Sequence, residues 1–472
     1  MTAGLPALLA LAGCSLAPAY HRPDPAIPPS WSAGAPDLRA DEAALPAVSY
    51  REIFRDPHLL AIIGQALANN QDLRVALANV AAARAQSRVA QAQILPQLDV
   101  TAGADVRHGE AGGASNNLPG KSYALDGGLS GFEVDLFGRL SNLSTAAFNE
   151  YLGTEAALRS ARLTLVAQVA VTYLTLAADR SLLAIAVDTE DSATRSVELT
   201  RVRLAGGLAP RTDLRQAETI LSQAQSDKAQ LTTQVAQDRA ALDLLVGAPV
   251  ADADLPAAIE TVEGLRAAIP AGLDSRILLR RPDVLQAEYA LRAANARIGA
   301  ARAAFFPTIS LTAVAGLAST ALSALFTGGA FNWQVAPQAT LPIFDGGANR
   351  GNLAFAKAER DAATAKYQKA IQTAFSDVAT ALARRATIDD QLAADTRLEA
   401  AAADTLTLAT ARYQRGIDTY LDLLDAQRTL YQARRTVANT RLVRATNLVA
   451  VYRALGGDQL VDTLPPPTGN GG

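Results

Sequence analysis

The sequence has few of the residues that build disulfides, metal centres or nucleic-acid surfaces. It contains one cysteine, Cys14, and three histidines without metal-ligand spacing, so neither an intrachain disulfide nor a thiolate zinc cluster is possible. The formal net charge of −3 comes without the basic stripe that binds nucleic acid. No run of about 18 apolar residues occurs, which predicts that no α-helix spans a membrane, whereas a β-barrel stays compatible with the sequence.

Residue arrangements that indicate catalysis are also absent from the sequence. It has no Cys–His pair, no G-x-S-x-G elbow and no phosphate-binding P-loop. Gly346 and Gly347 lie at a strand-to-helix junction, where a tight chain reversal explains both glycines. The Arg-Arg-Pro-Asp segment at 280–283 marks a helix start, because proline suits the first turn and aspartate the positive helix end. We therefore predict that the chain is not an enzyme and needs no cofactor or metal.

The single cysteine ends a short apolar segment that begins at Leu5. Small residues directly before Cys14 are typical of a bacterial lipoprotein signal, although no Lys or Arg precedes the segment. We predict that Cys14 carries a covalent lipid such as palmitate; the alternative is a buried cysteine in an ordinary apolar N-terminus. The proline-rich stretch from Pro18 to Pro36 then suits an extended strap leading away from a membrane anchor.

One sequence unit of roughly two hundred residues is used twice, which predicts that neither copy closes its own core. The separation between equivalent residues of the two copies changes slightly along the chain, from 211 positions (307 − 96) through 207 (344 − 137) to 209 (456 − 247). The matched pairs are Asp72/Asp283, Pro96/Pro307, Thr101/Thr312, Phe137/Phe344, Arg203/Arg412, Gly207/Gly416, Asp213/Asp422 and Gly247/Gly456.

The spacing of proline and glycine predicts two long helical hairpins. Between Gly351 and Gly456 there is no proline and Gly416 is the only glycine, so 352–415 and 420–455 are predicted as a helix and its returning partner. At 1.5 Å per residue the longer helix would extend about 100 Å, a length typical of coiled coils. The corresponding helices of the first copy are predicted at 140–205 and 212–246, and shorter helices at 58–94 and 283–305.

Alternating apolar and polar residues predict four strands between the short and the long helices. The alternation has one apolar and one polar face, as expected for a strand between lipid and a wet lumen, although any one of these segments alone would fit a half-buried strand of a soluble sheet. Pro337 interrupts one strand, and a change of phase at Phe132 and Glu133 predicts a bulge. The four segments are 98–107, 122–135, 308–313 and 331–341.

Four strands cannot close a transmembrane barrel, and open strand edges are not tolerated in hydrocarbon. The chain is therefore predicted to oligomerise. Two copies would give eight strands filled by side chains, and three would give twelve strands around a channel. Inward faces rich in Gly, Ser and Thr favour three copies, with the helices forming a tube below the barrel.

The chain contains the motifs FEVDLFGR at 132–139, RRPDV at 280–284, FFPT at 305–308, PIFDGG at 342–347 and LDLLDAQR at 421–428. Together these motifs resemble those of the outer membrane efflux proteins, the TolC-like outer membrane factors of the NodT/OprM lipoprotein type. This resemblance covers most of the chain and implies a homotrimer with a twelve-stranded barrel and a helical tunnel in the outer membrane of a Gram-negative bacterium. It also implies docking to a periplasmic adaptor (membrane fusion protein) and to an inner-membrane RND pump, and it supports the lipid on Cys14.

The turn of the second long hairpin holds the best candidates for a gate. Asp422 and Asp425 share a helix face, so threefold symmetry would stack two carboxylate rings that favour cations, with Leu421 and Leu424 as an apolar plug beside them. The alternative is a set of solvated helix-end charges. The resemblance implies a Tyr–Arg–Asp network at a closed periplasmic entrance. It maps onto Tyr413, Asp422, Asp425 and Asp213, whereas the family arginine falls on Asp418, which leaves Arg211 as a substitute.

The predicted function is a passive exit duct for drugs or other small molecules in a tripartite multidrug efflux pump. Type I secretion or metal-ion export is the alternative within the family, and a periplasmic coiled-coil adaptor lipoprotein is the alternative outside it. The predicted fold is α+β. The domains are expected at 1–13 (signal peptide), 14–57 (lipid-anchored strap), 58–250 (first repeat), 251–280 (linker), 281–457 (second repeat) and 458–472 (C-terminal tail).

Overall fold

The computed structural model describes residues 15–25, 27–28, 50–107, 120–262 and 275–457, without the side chains of Glu52 and Arg276. The strands are β1 (Asp99–Arg107), β2 (Gly120–Val134), β3 (Thr308–Ser319) and β4 (Phe331–Thr340). The helices are α1 (Tyr50–Ile53), α2 (Pro57–Asn69), α3 (Gln71–Ala92), α4 (Arg139–Ala205), α5 (Arg211–Val246), α6 (Pro282–Ala303), α7 (Ala348–Gln414) and α8 (Tyr420–Ala454).

The chain divides into two compact units, and both copies of the repeat contribute to each. We call the first the strand unit, because it contains the sheet, and the second the helical unit. The strand unit comprises Met1–Asp24, Asn79–Glu155 and Gln286–Gln368; the helical unit comprises Pro25–Ala78, Ala156–Leu285 and Lys369–Gly472. The domain boundaries expected from the sequence remain a prediction.

All four predicted strands are present, in one antiparallel sheet of order β1-β2-β3-β4. The register between β2 and β3 shifts between Leu129 and Phe132, which places the bulge beside the predicted phase change. Gly131 has a positive φ of 63° there, and its N–H donates to Thr312 Oγ1 at 3.0 Å. Pro337 lies in β4, which pairs within the chain with β3 alone, and it has no N–H to donate to a neighbouring strand.

The two long hairpins are also confirmed, as α4–α5 and α7–α8, with 67 residues in each longer helix. The single helix predicted at 58–94 is wrong, because the structure divides it at Asn70 into α2 and α3. The Asn70 backbone is extended, and its Oδ1 accepts from the Leu73 N–H at 2.9 Å, which caps the start of α3. Asn70 Nδ2 donates to the Leu245 carbonyl at 2.9 Å and fixes this break against α5.

The helical unit has a continuous apolar core where α2, α4 and α5 meet. Fully buried Leu59, Ile62, Val169, Leu176 and Leu242 belong to it, and burying such a side chain contributes about 1.5–3 kcal/mol. One described helix, α4, has an 18-residue window that is apolar enough to cross a membrane, a feature the search for an apolar run did not reveal. Inside the protein, 56% of that window is buried, as in the core helix of a soluble protein.

Candidate functional site

The two hairpin turns of the helical unit have the same backbone geometry. Gly207 after α4 and Gly416 after α7 have positive φ values of 71° and 73°. In each turn the N–H after the glycine bonds back to the carbonyl five residues earlier, from Leu208 to Arg203 at 2.8 Å and from Ile417 to Arg412 at 2.9 Å. This is the Schellman ending, which requires a left-handed residue and so explains why both repeats keep glycine here.

The start of α8 is stabilised by Asp422. The Asp422 carboxylate accepts from the Thr419 N–H at 3.1 Å and from Thr419 Oγ1 at 2.6 Å, and the Asp422 N–H donates to Thr419 Oγ1 at 3.4 Å. This reciprocal pattern is a capping box. Asp213 holds the same position in α5, but there the N-cap is Pro210, which offers no side-chain cap. Asp422 therefore has a structural role as well as an exposed charge.

The residues predicted to form rings and a plug lie in different surroundings. Asp422, Asp425 and Leu421 are on the surface of the chain, and 60% of Leu421 is exposed. Leu424 is only 7% exposed and packs with Val197 in an apolar cluster that ties α4 to α8. Leu421 is thus exposed on the surface of the chain, whereas Leu424 supports the turn from inside.

Tyr413 belongs to the same cluster and is 4% exposed. Its ring packs edge to face on Tyr420, with centroids 5.6 Å apart, and the Arg203 guanidinium lies 4.5 Å above it. Arg203 Nη1 donates to the Tyr413 carbonyl at 3.1 Å, and among the described residues the buried Tyr413 hydroxyl has no hydrogen-bond partner. The structure therefore joins Tyr413 to Arg203 and not to an aspartate.

Tyr420 contributes a polar contact between the same two hairpins. Its hydroxyl lies 3.3 Å from Ser196 Oγ on α4. Burial, with the nearby Tyr413 and Asp213, raises the pKa of Tyr420, so its hydroxyl stays neutral at physiological pH.

Arg412 is a basic residue of the turn that the sequence analysis did not select. Its Nε and Nη2 both lie 2.7 Å from the Asp418 carboxylate, which lowers the pKa of Asp418. The Schellman hydrogen bond from Ile417 to Arg412 brings these two side chains together. Arg211, the predicted substitute, is exposed and has no ion-pair partner in the part of the chain that the structure describes.

A second polar contact joins the hairpins farther from the turns. Asp227 on α5 is 8% exposed and accepts from the Tyr431 hydroxyl and from Gln223 Nε2 on its own helix. Arg435 on α8 lies 3.4 Å from the same carboxylate. Burial first, and then the bond to Asp227, raise the pKa of Tyr431 to about 12. Long-range pairs of this kind have no local sequence signal.

The segment after Cys14 is held on the strand unit; Cys14 itself lies outside the described residues. Ser15 Oγ donates to Asn142 Oδ1 at 3.0 Å, Arg302 Nη1 donates to the Leu16 carbonyl at 3.0 Å, and Asn295 Nδ2 donates to the Pro18 carbonyl at 2.7 Å.

Glu288 on α6 is the centre of that attachment. It is 2% exposed and accepts from Arg22 Nη2 at 2.6 Å, Arg292 Nη2 at 2.7 Å and the Tyr20 hydroxyl at 3.2 Å. Burial alone would raise its pKa, but the bonds from the two arginines outweigh burial and lower it. The carboxylate is therefore charged at neutral pH and holds the strap.

The described residues around the two turns offer exposed charge and buried packing. Among the described residues no three or more His, Cys, Asp or Glu side chains come together as a metal site. The carboxylates of Asp422 and Asp425 are exposed beside a turn, and the buried contacts around Tyr413 and Asp227 connect the two hairpins. Such an arrangement can select ions by charge and can hold two helical hairpins in one position.

Comparison with known proteins gives full-length similarities. A family model for outer membrane efflux proteins matches residues 62–248 and 273–457. The chain is 40% identical over 466 residues to the solvent efflux pump outer membrane protein SrpC of Pseudomonas putida, covering 96% of this chain and 97% of SrpC. It is 39% identical over 458 residues to the cation efflux system protein CusC of Escherichia coli O157:H7, and the match covers 95% of this chain and 96% of CusC. The open state of the Neisseria gonorrhoeae MtrE outer membrane channel superimposes on this chain with a TM-score of 0.84 at 35% identity. The superposition covers 94% of this chain and 98% of the MtrE chain.

Proposed function

Because the chain belongs to the outer membrane efflux protein family, we propose that it is the exit duct of a tripartite efflux pump. In this proposal three copies form a twelve-stranded barrel in the outer membrane of a Gram-negative bacterium, continued by a helical tunnel in the periplasm. An adaptor and an RND-type inner-membrane pump supply the cargo and the energy. The duct conducts passively and performs no bond chemistry.

The two open edges of the sheet carry this proposal. In the described chain β1 and β4 each pair on one side only. Phe331, Trp333 and Val335 alternate along β4 and are more than half exposed, as expected for a face toward lipid. Unpaired backbone groups and apolar side chains on one edge strand are stable in a bilayer only if the next copy completes the ladder.

The proposed gate consists of the hairpin turns around the tunnel axis. Asp422 and Asp425 form the charged rings and Leu421 an apolar constriction, while Asp213 and Arg211 occupy the corresponding start of α5. Tyr413 and Leu424 act from inside the cluster, since they hold α7 and α8 against α4. Opening would separate the hairpins and break the Arg203–Tyr413 contact. Lipid on Cys14 remains part of the proposal and is supported by the strap that follows it.

Conductance in planar bilayers tests the duct and its gate together. The purified protein should form trimeric, cation-preferring pores. The double variant Asp422→Asn/Asp425→Asn should prefer cations less and change its conductance, because two carboxylate rings lose their charge. Glu359→Gln, which removes an exposed carboxylate from α7 in the strand unit, is the matched control. Unchanged conductance and selectivity in the double variant would disprove the gate, and a protein without pores would disprove the duct.

We propose small organic compounds as the cargo. The chain has one methionine and three histidines, which are few soft or imidazole ligands for copper or silver. The relatives are named for solvent efflux and for cation efflux at nearly the same identity. Expression with its adaptor and pump in a strain lacking such ducts should restore tolerance to organic solvents. Restored tolerance to silver or copper alone would favour cation export, and restored export of a protein would favour type I secretion.

A further inference from the structure

The helical unit contains a cavity that adjoins both of the contacts between its hairpins. The cavity has a volume of about 90 Å³ and is lined by side chains from α4, α5, α7 and α8. Ile220 and Leu406, which line it, also pack against the apolar cluster around Tyr413. Tyr431, which lines it as well, donates its hydroxyl to Asp227. Both repeats therefore build this cavity, and it lies where the two hairpins meet.

The inner wall of the cavity is apolar and made partly of small side chains. Ala193 on α4, Ala224 on α5 and Leu430 on α8 are 2%, 1% and 6% exposed. Asp188 and Arg428, at the margin, are exposed to solvent. An apolar protein cavity of about 150 Å³ holds a benzene molecule. This smaller cavity, open at its margin, therefore suits one aromatic ring whose polar substituent stays at the surface.

Gln427 gives the cavity wall a hydrogen-bond acceptor that is still to be used. Its Oε1 is buried and has no partner among the described residues. The other polar groups nearby are engaged, because Gln223 Nε2 and the Tyr431 hydroxyl both donate to Asp227. A buried acceptor without a donor is unfavourable. Rotation of the Gln427 amide about its last torsion lets Oε1 accept from a ligand hydroxyl in the cavity.

The charges at the margin of the cavity favour an anionic group. Arg428 on α8 is exposed and forms no ion pair within the part of the chain that the structure describes. Arg434, one turn beyond the cavity floor, lies 3.9 Å from Glu399. Asp188 on α4 is the one acidic residue among those that line the cavity. A guanidinium binds a carboxylate through two parallel hydrogen bonds, so Arg428 is the natural partner for a carboxylate at the surface.

We propose that this cavity binds small aromatic carboxylates that also carry a hydroxyl group. The ring lies between Ala193, Ala224 and Leu430, the carboxylate binds Arg428, and the hydroxyl donates to Gln427. A ligand that contacts α4, α5 and α8 together favours the arrangement of hairpins that forms the cavity. The consequence for conduction rests on the proposed function: if opening separates the hairpins, the bound ligand reduces opening of the duct.

Ligand-observed NMR on the full-length protein in detergent tests the site, with micelles alone as the background. The wild type should bind 4-hydroxybenzoate about fivefold or more tightly than benzoate, which lacks the donor, and than phenol, which lacks the charge. Arg428→Gln should weaken binding of 4-hydroxybenzoate about fivefold or more. Gln427→Leu should abolish the preference over benzoate, and Asp188→Asn should strengthen binding because a negative charge is removed. Arg453→Gln, an exposed arginine 25 residues further along α8 (453 − 428 = 25), is the matched control and should bind like the wild type.

The outcomes separate this site from the proposed function. Equal binding of 4-hydroxybenzoate, benzoate and phenol by the wild type would overturn the site without the use of any variant. Equal binding by the wild type, Arg428→Gln and Gln427→Leu would overturn it as well. In planar bilayers, 4-hydroxybenzoate on the periplasmic side should reduce the frequency of opening in the wild type and not in Gln427→Leu. Binding without this effect would keep the site and overturn its influence on the gate, and binding by a protein that forms no pores would keep the site and overturn the duct.

Discussion

The guanidinium of Arg203 lies 4.5 Å above the ring of Tyr413 and donates a 3.1 Å hydrogen bond to the Tyr413 carbonyl oxygen. Arg203 is near the end of α4 and Tyr413 near the end of α7, so one residue fastens the two long helices beside their turns. The ring and the backbone of Tyr413 make this contact, and its hydroxyl does not. The tyrosine of the Tyr–Arg–Asp network that the resemblance implied therefore contacts Arg203 through its ring and its carbonyl oxygen.

Replacing Arg203 with alanine should loosen the contact between α4 and α7 beside their turns. The change removes a cation–π contact of about 0.5–2 kcal/mol and a charged hydrogen bond of about 1.5–3 kcal/mol, with part of the loss recovered by water. We expect a higher single-channel conductance and more frequent openings in planar bilayers. Tyr413→Phe keeps the ring and the carbonyl and should conduct like the wild type. A Tyr413→Phe channel with raised conductance would instead support a bond from the hydroxyl.

Asp422 and Asp425 should differ when each is changed alone. Asp425→Ala should reduce cation preference. It should leave the free energy of unfolding within about 0.5 kcal/mol of the wild-type value, because no described residue forms a hydrogen bond with this exposed carboxylate. Asp422→Ala should reduce cation preference and also lower the free energy of unfolding by about 0.5–2 kcal/mol, since the capping box with Thr419 is lost. Asp422→Asn keeps an acceptor oxygen and should recover part of that stability but not the selectivity. Equal melting temperatures for Asp422→Ala and Asp425→Ala would contradict the capping role.

Local chemistry accounts for what the sequence could predict. Gly207 and Gly416 end their helices because only a left-handed residue closes the Schellman turn, and the two-residue alternation in the sheet follows from the pleat. The partners of charged side chains were not predictable in this way. Arg412 binds Asp418 across a turn, whereas its repeat counterpart Arg203 binds Tyr413 on another hairpin. Equivalent residues diverge here because Asp418 corresponds to Ala209, which gives Arg203 no local carboxylate (418 − 209 = 209).

The strap around Glu288 should detach in acid. The pKa of Glu288 is below its unfolded value of about 4.3, so its contribution to stability is present above that pH and is lost as the pH falls through the folded pKa. Glu288→Gln should destabilise the strand unit by about 1–3 kcal/mol at pH 7, because charged bonds from Arg22 and Arg292 are weakened. Limited proteolysis of the segment 15–25 reports detachment.

The control for the strap is Glu359→Gln, which changes an exposed carboxylate on α7 of the same unit. This variant should leave both the rate of proteolysis in segment 15–25 and the melting temperature unchanged. The difference in stability between the wild type and Glu288→Gln should shrink below about pH 4, where Glu288 becomes protonated first in the unfolded chain and then, at a lower pH, in the folded chain. A difference that stays constant from pH 7 to pH 3 would show that lost packing, and not the charge, causes the effect.

Asp179 on α4 and Asp238 on α5 should make the helical unit less stable as the pH rises. Burial first, and then the neighbouring Asp238 carboxyl, raise the pKa of Asp179 to about 7. Asp238 Oδ1 accepts from Gln234 Nε2 at 3.2 Å, while Oδ2 is buried and has no partner among the described residues. We infer that a protonated Asp179 donates to Asp238 and satisfies that oxygen. Because the folded pKa exceeds the unfolded value of about 3.9, the stabilisation is complete below about pH 4 and is lost as the pH rises through about 7.

Asp179→Asn supplies the missing donor permanently, since its amide N–H can bond to Asp238 at any pH. The variant should have a melting temperature close to that of the wild type at pH 5 and a higher one at pH 8.5, when the wild-type Asp179 carboxyl is charged. Asp425→Asn, an exposed carboxylate on α8, should keep the wild-type pH dependence and serves as the control. If the wild type and Asp179→Asn lose stability in parallel between pH 5 and pH 8.5, a different group must cause the loss.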